Sequence, residues 1–134
     1  MRVVFGGVVI AESRRPARVL ETSHPPVYYL SPEDIALEHL VRAAGSSFCE
    51  WKGNASYYDV RVGEQLAKAA AWAYRSPTAA FESIRDWVAF YPGRMDECTV
   101  DGEVVRAQAG GFYGGWITSN LIGPFKGEPG TRGW

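Results

Sequence analysis

A thiol, an ammonium group and several aromatic rings crowd one short window, Phe48-Cys49-Glu50-Trp51-Lys52-Gly53-Asn54-Ala55-Ser56-Tyr57-Tyr58. As a thiolate, Cys49 could attack an electrophilic carbon, and Lys52 could condense with a carbonyl as a Schiff-base amine. Without any reaction, Lys52 could still face an anionic or carbonyl group at the rim of a pocket walled by the rings. The plain alternative is a hairpin whose rings fill the core, whose lysine meets water and whose cysteine is a small buried apolar residue. Further along, Trp72 and Tyr74 share a parity, so a strand would project both to one face, as core or as cavity lining. The expectation is that Cys49, Lys52, Tyr57, Trp72 and Tyr74 converge on one cavity, with the alanines beside the rings leaving it hollow. Tyr28-Tyr29 and Phe90-Tyr91 read as core.

Other chemistries are argued against by spacing. Cys49 and Cys98 lack the C-x-x-C pattern, and neither His24 nor His39 stands at ligand spacing from them, so no metal site is expected. No H-E-x-x-H, P-loop or G-x-S-x-G motif occurs. The aspartates form no D-x-D pair that would hold magnesium for phosphoryl transfer. Gly110-Gly111-Phe112-Tyr113-Gly114-Gly115 lacks the Lys-Ser/Thr ending of a phosphate loop and reads as a flexible loop. No cofactor is called for. A net charge of −1 with interspersed signs argues against a nucleic-acid surface, and Arg14-Arg15 reads as a solvated pair.

The elements that must position these residues read as short strands. Segments 2–5 and 8–11 flank Gly6-Gly7, a hairpin signal. Segments 18–21 and 27–30 are separated by Pro25-Pro26, which cannot continue a ladder. Ser31-Pro32-Glu33-Asp34 carries a cap, a proline and first-turn acids, predicting a short helix that ends near Leu40. Strands follow at 47–51 and 55–62. Segment 66–74 is alanine-rich, which favours helix by propensity, yet it must supply a hairpin partner for 55–62 and is read as a strand. Segment 78–85 predicts one or two helical turns, 87–91 a strand, and 97–100 with 103–106 a hairpin across Asp101-Gly102.

At 134 residues, with 46% hydrophobic and 22% charged residues, the chain can bury a core without disulfides. One β-rich domain over 1–106 is expected. A glycine- and aromatic-rich tail over 107–134 carries Phe112, Tyr113, Trp116, Phe125 and Trp134. Such rings are uncommon in disordered segments, so the tail is expected to pack on the domain or on a second subunit of a homodimer. No export signal or membrane-spanning run is read, and the two thiols fit a reducing cytoplasmic setting.

The chain resembles the bacterial domain-of-unknown-function family 427. The resemblance is carried by Val8-Val9-Ile10-Ala11-Glu12-Ser13, Pro25-Pro26-Val27-Tyr28-Tyr29, the window Cys49 to Tyr58, Ala70-Ala71-Trp72-Ala73-Tyr74 and Val88-Ala89-Phe90-Tyr91. The tail, through Gly110 to Thr118 and Gly123-Pro124-Phe125-Lys126-Gly127, resembles longer members. The family is similar in fold to the β-tent group, which includes methionine sulfoxide reductase B and the thalidomide-binding domain of cereblon. That implies a mainly β architecture: antiparallel β-tent or small barrel-like sheets around a central cavity, with one or two short helices. It also favours strand for 66–74. Many β-tent relatives hold zinc with four cysteines, which this chain lacks. The resemblance implies no established activity, and a nucleotidyltransferase label sometimes attached to the family finds no paired aspartates here. The expected function is binding of a small molecule, flat or elongated with one polar end. The alternatives are a metal-independent enzyme using Cys49 or Lys52, and an interaction module using the aromatic tail.

Overall fold

Alternating apolar residues and glycine turns give antiparallel ladders almost throughout. The computed structural model describes residues 1–21, 24–49, 52–108 and 114–119, and among them the side chains of Phe48 and Cys49 lie outside the described set. Strands β1 (Arg2–Phe5) and β2 (Val8–Glu12) pair across Gly6 and Gly7, whose φ values of 58° and 75° are the turn that the glycines predict. Strands β3 (Ala17–Val19) and β4 (Val27–Tyr29) form a two-stranded ladder. Then come β5 (Leu40–Cys49), β6 (Gly53–Val62), β7 (Gln65–Pro77) and β8 (Val88–Phe90), one four-stranded sheet in chain order. Strands β9 (Glu97–Val100) and β10 (Glu103–Val104) turn at Asp101 and Gly102, both at positive φ, and add β9 to the free side of β1. Strand β11 (Arg106–Ala107) leaves that hairpin and pairs with β12 (Trp116–Ile117).

Segment 66–74 is strand, because it pairs on both sides, with β6 and with β8. Its composition follows from having both faces covered. Ala71 and Ala73 face the main core, made of Val3, Phe5, Ile10 and Cys98 from the first sheet with Val60, Val88, Phe90 and Trp116. Trp72 and Tyr74, on the other face, join a second cluster with Tyr29, Ala55, Ile84 and Ala89. Alanine on one face leaves room for Phe90 and Trp116, and rings on the other fill the space beneath β4.

Three expectations are corrected. The helix expected from Ser31 to Leu40 is two separate 3-10 turns, Pro32–Asp34 and Leu37–His39. Ser31 does cap the first, accepting from the Glu33 amide at 3.3 Å. Ile35 is nevertheless extended, bridging Ala11, and the Ala36 amide donates to Ile10 at 2.8 Å, so hydrogen bonds to β2 replace those of a continuing helix. The strand expected at 47–51 begins at Leu40, with Gly45 at φ 89° absorbing a register shift between Arg42 and Ser46. Among the described residues the sheets close no barrel: β5 and β8 are the edges of an open sheet. Three-residue β8 packs beside β4, but among the described residues a single bridge, Leu30–Val88, joins that edge, too short a ladder to zip it into a lumen. Among the described residues there is no α-helix, and no helix is long and apolar enough to cross a membrane.

Cys98 on β9 is a free thiol at 2% exposure, and burial pushes it up to about 12. Tyr91 is likewise held near 12, first by burial and then by Tyr57. Both groups are acids whose neutral form the fold favours, so the unfolded chain loses these protons first. Stability from this source is fully present below about pH 8 and falls as pH rises toward 12. Urea titrations across that range are expected to show the decline, and Cys98→Ala should flatten it. An unchanged slope in that variant would assign the alkaline loss elsewhere.

Candidate functional site

The β6–β7 ladder sets Tyr57 directly opposite Trp72 and Ala55 opposite Tyr74, so residues far apart in sequence share one face. Strand β8 places Ala89 beside Trp72 on its other side. From across the cluster, Tyr29 accepts a hydrogen bond from Trp72 Nε1 at 3.3 Å, its ring edge-on at 87° and 6.3 Å from Trp72. Tyr29 also lies 6.3 Å from the Tyr74 ring, and Tyr91 packs 4.6 Å from Trp72. The face is thus a continuous set of mutually touching rings, with Trp72 at 7% and Tyr74 at 6% exposure. Tyr57, Phe81 and Trp87 border it, partly buried.

Lys52 enters from the turn before β6. Gly53 sits at φ 109°, where a Cβ would stand 3.0 Å from the Ser76 carbonyl, so only glycine allows the chain to pass this close to the end of β7. The Lys52 carbonyl accepts from the Thr78 amide at 3.0 Å, which anchors the turn. The side chain then runs inward: Nζ lies 6.0 Å from the centre of the Tyr74 ring and 5.8 Å from that of Phe81, and it is paired with Glu21. Lys52 is only 6% exposed, whereas the Glu21 side chain keeps 40%. A positive charge is therefore held between two ring faces, with a carboxylate on the water side.

A second polar feature borders Trp72. The Tyr57 and Ser47 hydroxyls are hydrogen-bonded at 2.7 Å, and Tyr57 stands near enough to Tyr91 to add to the burial that raises Tyr91 to about 12. With Tyr91 neutral at physiological pH, the Ser47 and Tyr57 hydroxyls form a hydrogen-bonded pair beside the rings, near the Tyr91 phenol.

Of the five expected residues, Lys52, Tyr57, Trp72 and Tyr74 lie in this one neighbourhood. Cys49 is paired through its backbone with Gly53 at the end of β5, and its side chain lies outside the described residues. Glu21, Ser47, Tyr29 and Tyr91 belong to the site and were not singled out for it. Tyr29 and Tyr91 read as core from sequence, and they are core as well as wall. Glu21 and Ser47 reach the site only through contacts spanning 31 and 10 residues. Among the described residues no three His, Cys, Asp or Glu side chains gather as a metal site would require. His24 is bonded to Gln108 at 3.2 Å and His39 to the Arg61 carbonyl at 3.0 Å.

No curated protein matches the chain. A family model described as a domain of unknown function, DUF427, matches residues 1–101, a stretch that contains β1 to β9 and every residue of the ring cluster just described. The chain belongs to the DUF427 family.

Proposed function

We propose that the protein binds a small organic molecule, flat or elongated and mostly apolar with one anionic or carbonyl end, at the face where Lys52, Tyr57, Trp72 and Tyr74 gather. The burial of Lys52 carries this reading. An ammonium taken out of water costs several kcal/mol of solvation, and a leucine or methionine would fill the same space at least as stably. Keeping a lysine there makes sense if the charge meets a ligand. Its Glu21 partner is half in solvent, so the polar end of a ligand can share or take its place, while the partly exposed rings of Tyr57, Phe81 and Trp87 offer apolar surface backed by buried Trp72 and Tyr74, and the Ser47 and Tyr57 hydroxyls offer hydrogen bonds. The buried free thiol of Cys98 suits a reducing cytoplasmic setting for this activity.

The probe of choice is 8-anilinonaphthalene-1-sulfonate, which is flat, apolar and singly anionic at one end. The native protein is expected to bind it saturably with enhanced fluorescence. Lys52→Met and Trp72→Ala should each weaken it by about tenfold, the loss of one charge contact or of the buried ring that holds the bordering rings in place. Lys52→Met should leave the melting temperature nearly unchanged, because the Glu21 carboxylate it leaves unpaired is 40% exposed and keeps its contact with water. Equal affinity in both variants and the parent protein would refute the reading. Native mass spectrometry of protein taken directly from cells would identify the natural ligand.

A further inference from the structure

A cleft of about 530 Å³, which shares Trp87 with the border of the ring cluster, opens between the β2–β3 connection and the 3-10 turn Pro32–Asp34. Its root is rigid. Ser13 is 3% exposed; its hydroxyl lies 2.8 Å from Asp34 Oδ2 and accepts from the Arg15 amide at 3.1 Å, tying the two turns together. The Ser13 amide is bonded to the Met1 carbonyl at 2.9 Å. Above this floor stand Arg14 and Arg15, both exposed, and neither guanidinium pairs with a carboxylate among the described residues. Glu33 is exposed and its carboxylate is likewise uncommitted among them, whereas Glu12 is held by Arg2 at 2.9 Å. Trp87, half-buried, forms one wall. Asp86 before it is held at φ 63°, its amide bonded to the Tyr74 carbonyl at 3.0 Å, which fixes the point from which the indole projects.

We propose that this cleft binds a zwitterion bearing an aromatic ring, of the aromatic α-amino acid class. The two free guanidiniums match a carboxylate, which takes two parallel hydrogen bonds from such a donor. The free Glu33 carboxylate matches an ammonium, and the indole face of Trp87 matches a ring. A dianion is disfavoured, because Glu12, Glu33 and Asp34 all line the same cleft. A plain cation is disfavoured by the arginine pair, and a neutral apolar molecule by so many charged walls. The volume falls within the range of small-ligand sites. The same carboxylate and ring could arrive on the end of a peptide, and the difference lies in the free amine that Glu33 requires.

The test is calorimetric titration with L-phenylalanine and three relatives: its methyl ester, 3-phenylpropionate and N-acetyl-L-phenylalanine. The expected result is a dissociation constant of about 1 mM or tighter for L-phenylalanine, with each relative at least about tenfold weaker, since each masks or removes one charge. Arg14→Ala with Arg15→Ala, and separately Glu33→Gln, should give the same weakening with unchanged melting temperatures, as expected of exposed side chains. Lys52→Met should leave this binding unchanged, which separates the cleft from the ring cluster. No saturation by about 10 mM L-phenylalanine overturns the proposal, as would equal binding of the N-acetyl compound or loss of binding in Lys52→Met.

Discussion

Trp116→Ala is expected to destabilise the protein by about 4 kcal/mol, the upper part of the range for removing a large core ring. Trp116 has 0% exposure and sits in the main core, although it lies beyond the stretch that matches the family model. Its ring packs 5.4 Å from Tyr28, its Nε1 donates to the Phe90 carbonyl at 3.1 Å and its amide donates to the Pro26 carbonyl at 2.8 Å. Truncation opens a cavity beside Phe90 and also strips that buried carbonyl of a donor. Because β12 meets the domain through β11 and Pro26, the loss should also loosen the segment that reaches Trp72. Denaturant unfolding would read the change as a large fall in midpoint. A shift below about 1 kcal/mol would mean that Trp116 is not a core residue in solution.

Gly114→Ala is expected to cost about 3 kcal/mol, at the high end for overpacking by one methyl. A Cβ at position 114 would stand 2.2 Å from Trp72 Cη2 and 2.8 Å from Cζ3. The ring cannot retreat, since Tyr91 packs 4.6 Å away and Tyr29 receives its Nε1 hydrogen bond. The conflict is steric, so it should be relieved by making space on the other side. Gly114→Ala combined with Trp72→Leu should be less destabilised than the sum of the two single changes, by 1 kcal/mol or more (about the coupling seen between touching residues). Strict additivity would show that Gly114 does not lie against Trp72. The same contact ties the candidate site to the C-terminal part of the chain, so the single variant should also weaken binding of the anilinonaphthalene probe.

Local chemistry was readable wherever neighbours in sequence decide the outcome. Gly6-Gly7 and Asp101-Gly102 make their hairpins because positive φ is available at both turn positions, and no distant contact overrides it. The period of two in Ala70-Ala71-Trp72-Ala73-Tyr74 correctly puts Trp72 and Tyr74 on one face, and its opposition to 55–62 puts Tyr57 with them. The helix at 31–40 misled for the opposite reason. Ser31, Pro32 and the acids set up one turn, and then the Ala36 amide's hydrogen bond to the Ile10 carbonyl and the Ile35–Ala11 bridge capture the next residues, a competition that no local signal reports. The length of β5 was hidden because Gly45, which reads as a break, is a bulge inside a strand.

The sequence by itself determined the strand faces, the turns, the mainly antiparallel β class and the placing of Lys52, Tyr57, Trp72 and Tyr74 within reach of one another. These depend on alternation and turn stereochemistry, which act over two to four residues. Only the tertiary structure decided that Lys52 is buried against Glu21, that Tyr29 and Tyr91 close around Trp72, that the sheet stays open, and that Ser13 joins Asp34 beneath Arg14 and Arg15. Each of these is a contact between elements whose separation along the chain carries no pattern. They form because apolar faces must be covered and buried polar groups must find partners, and the identity of the partner is settled only when the sheets meet.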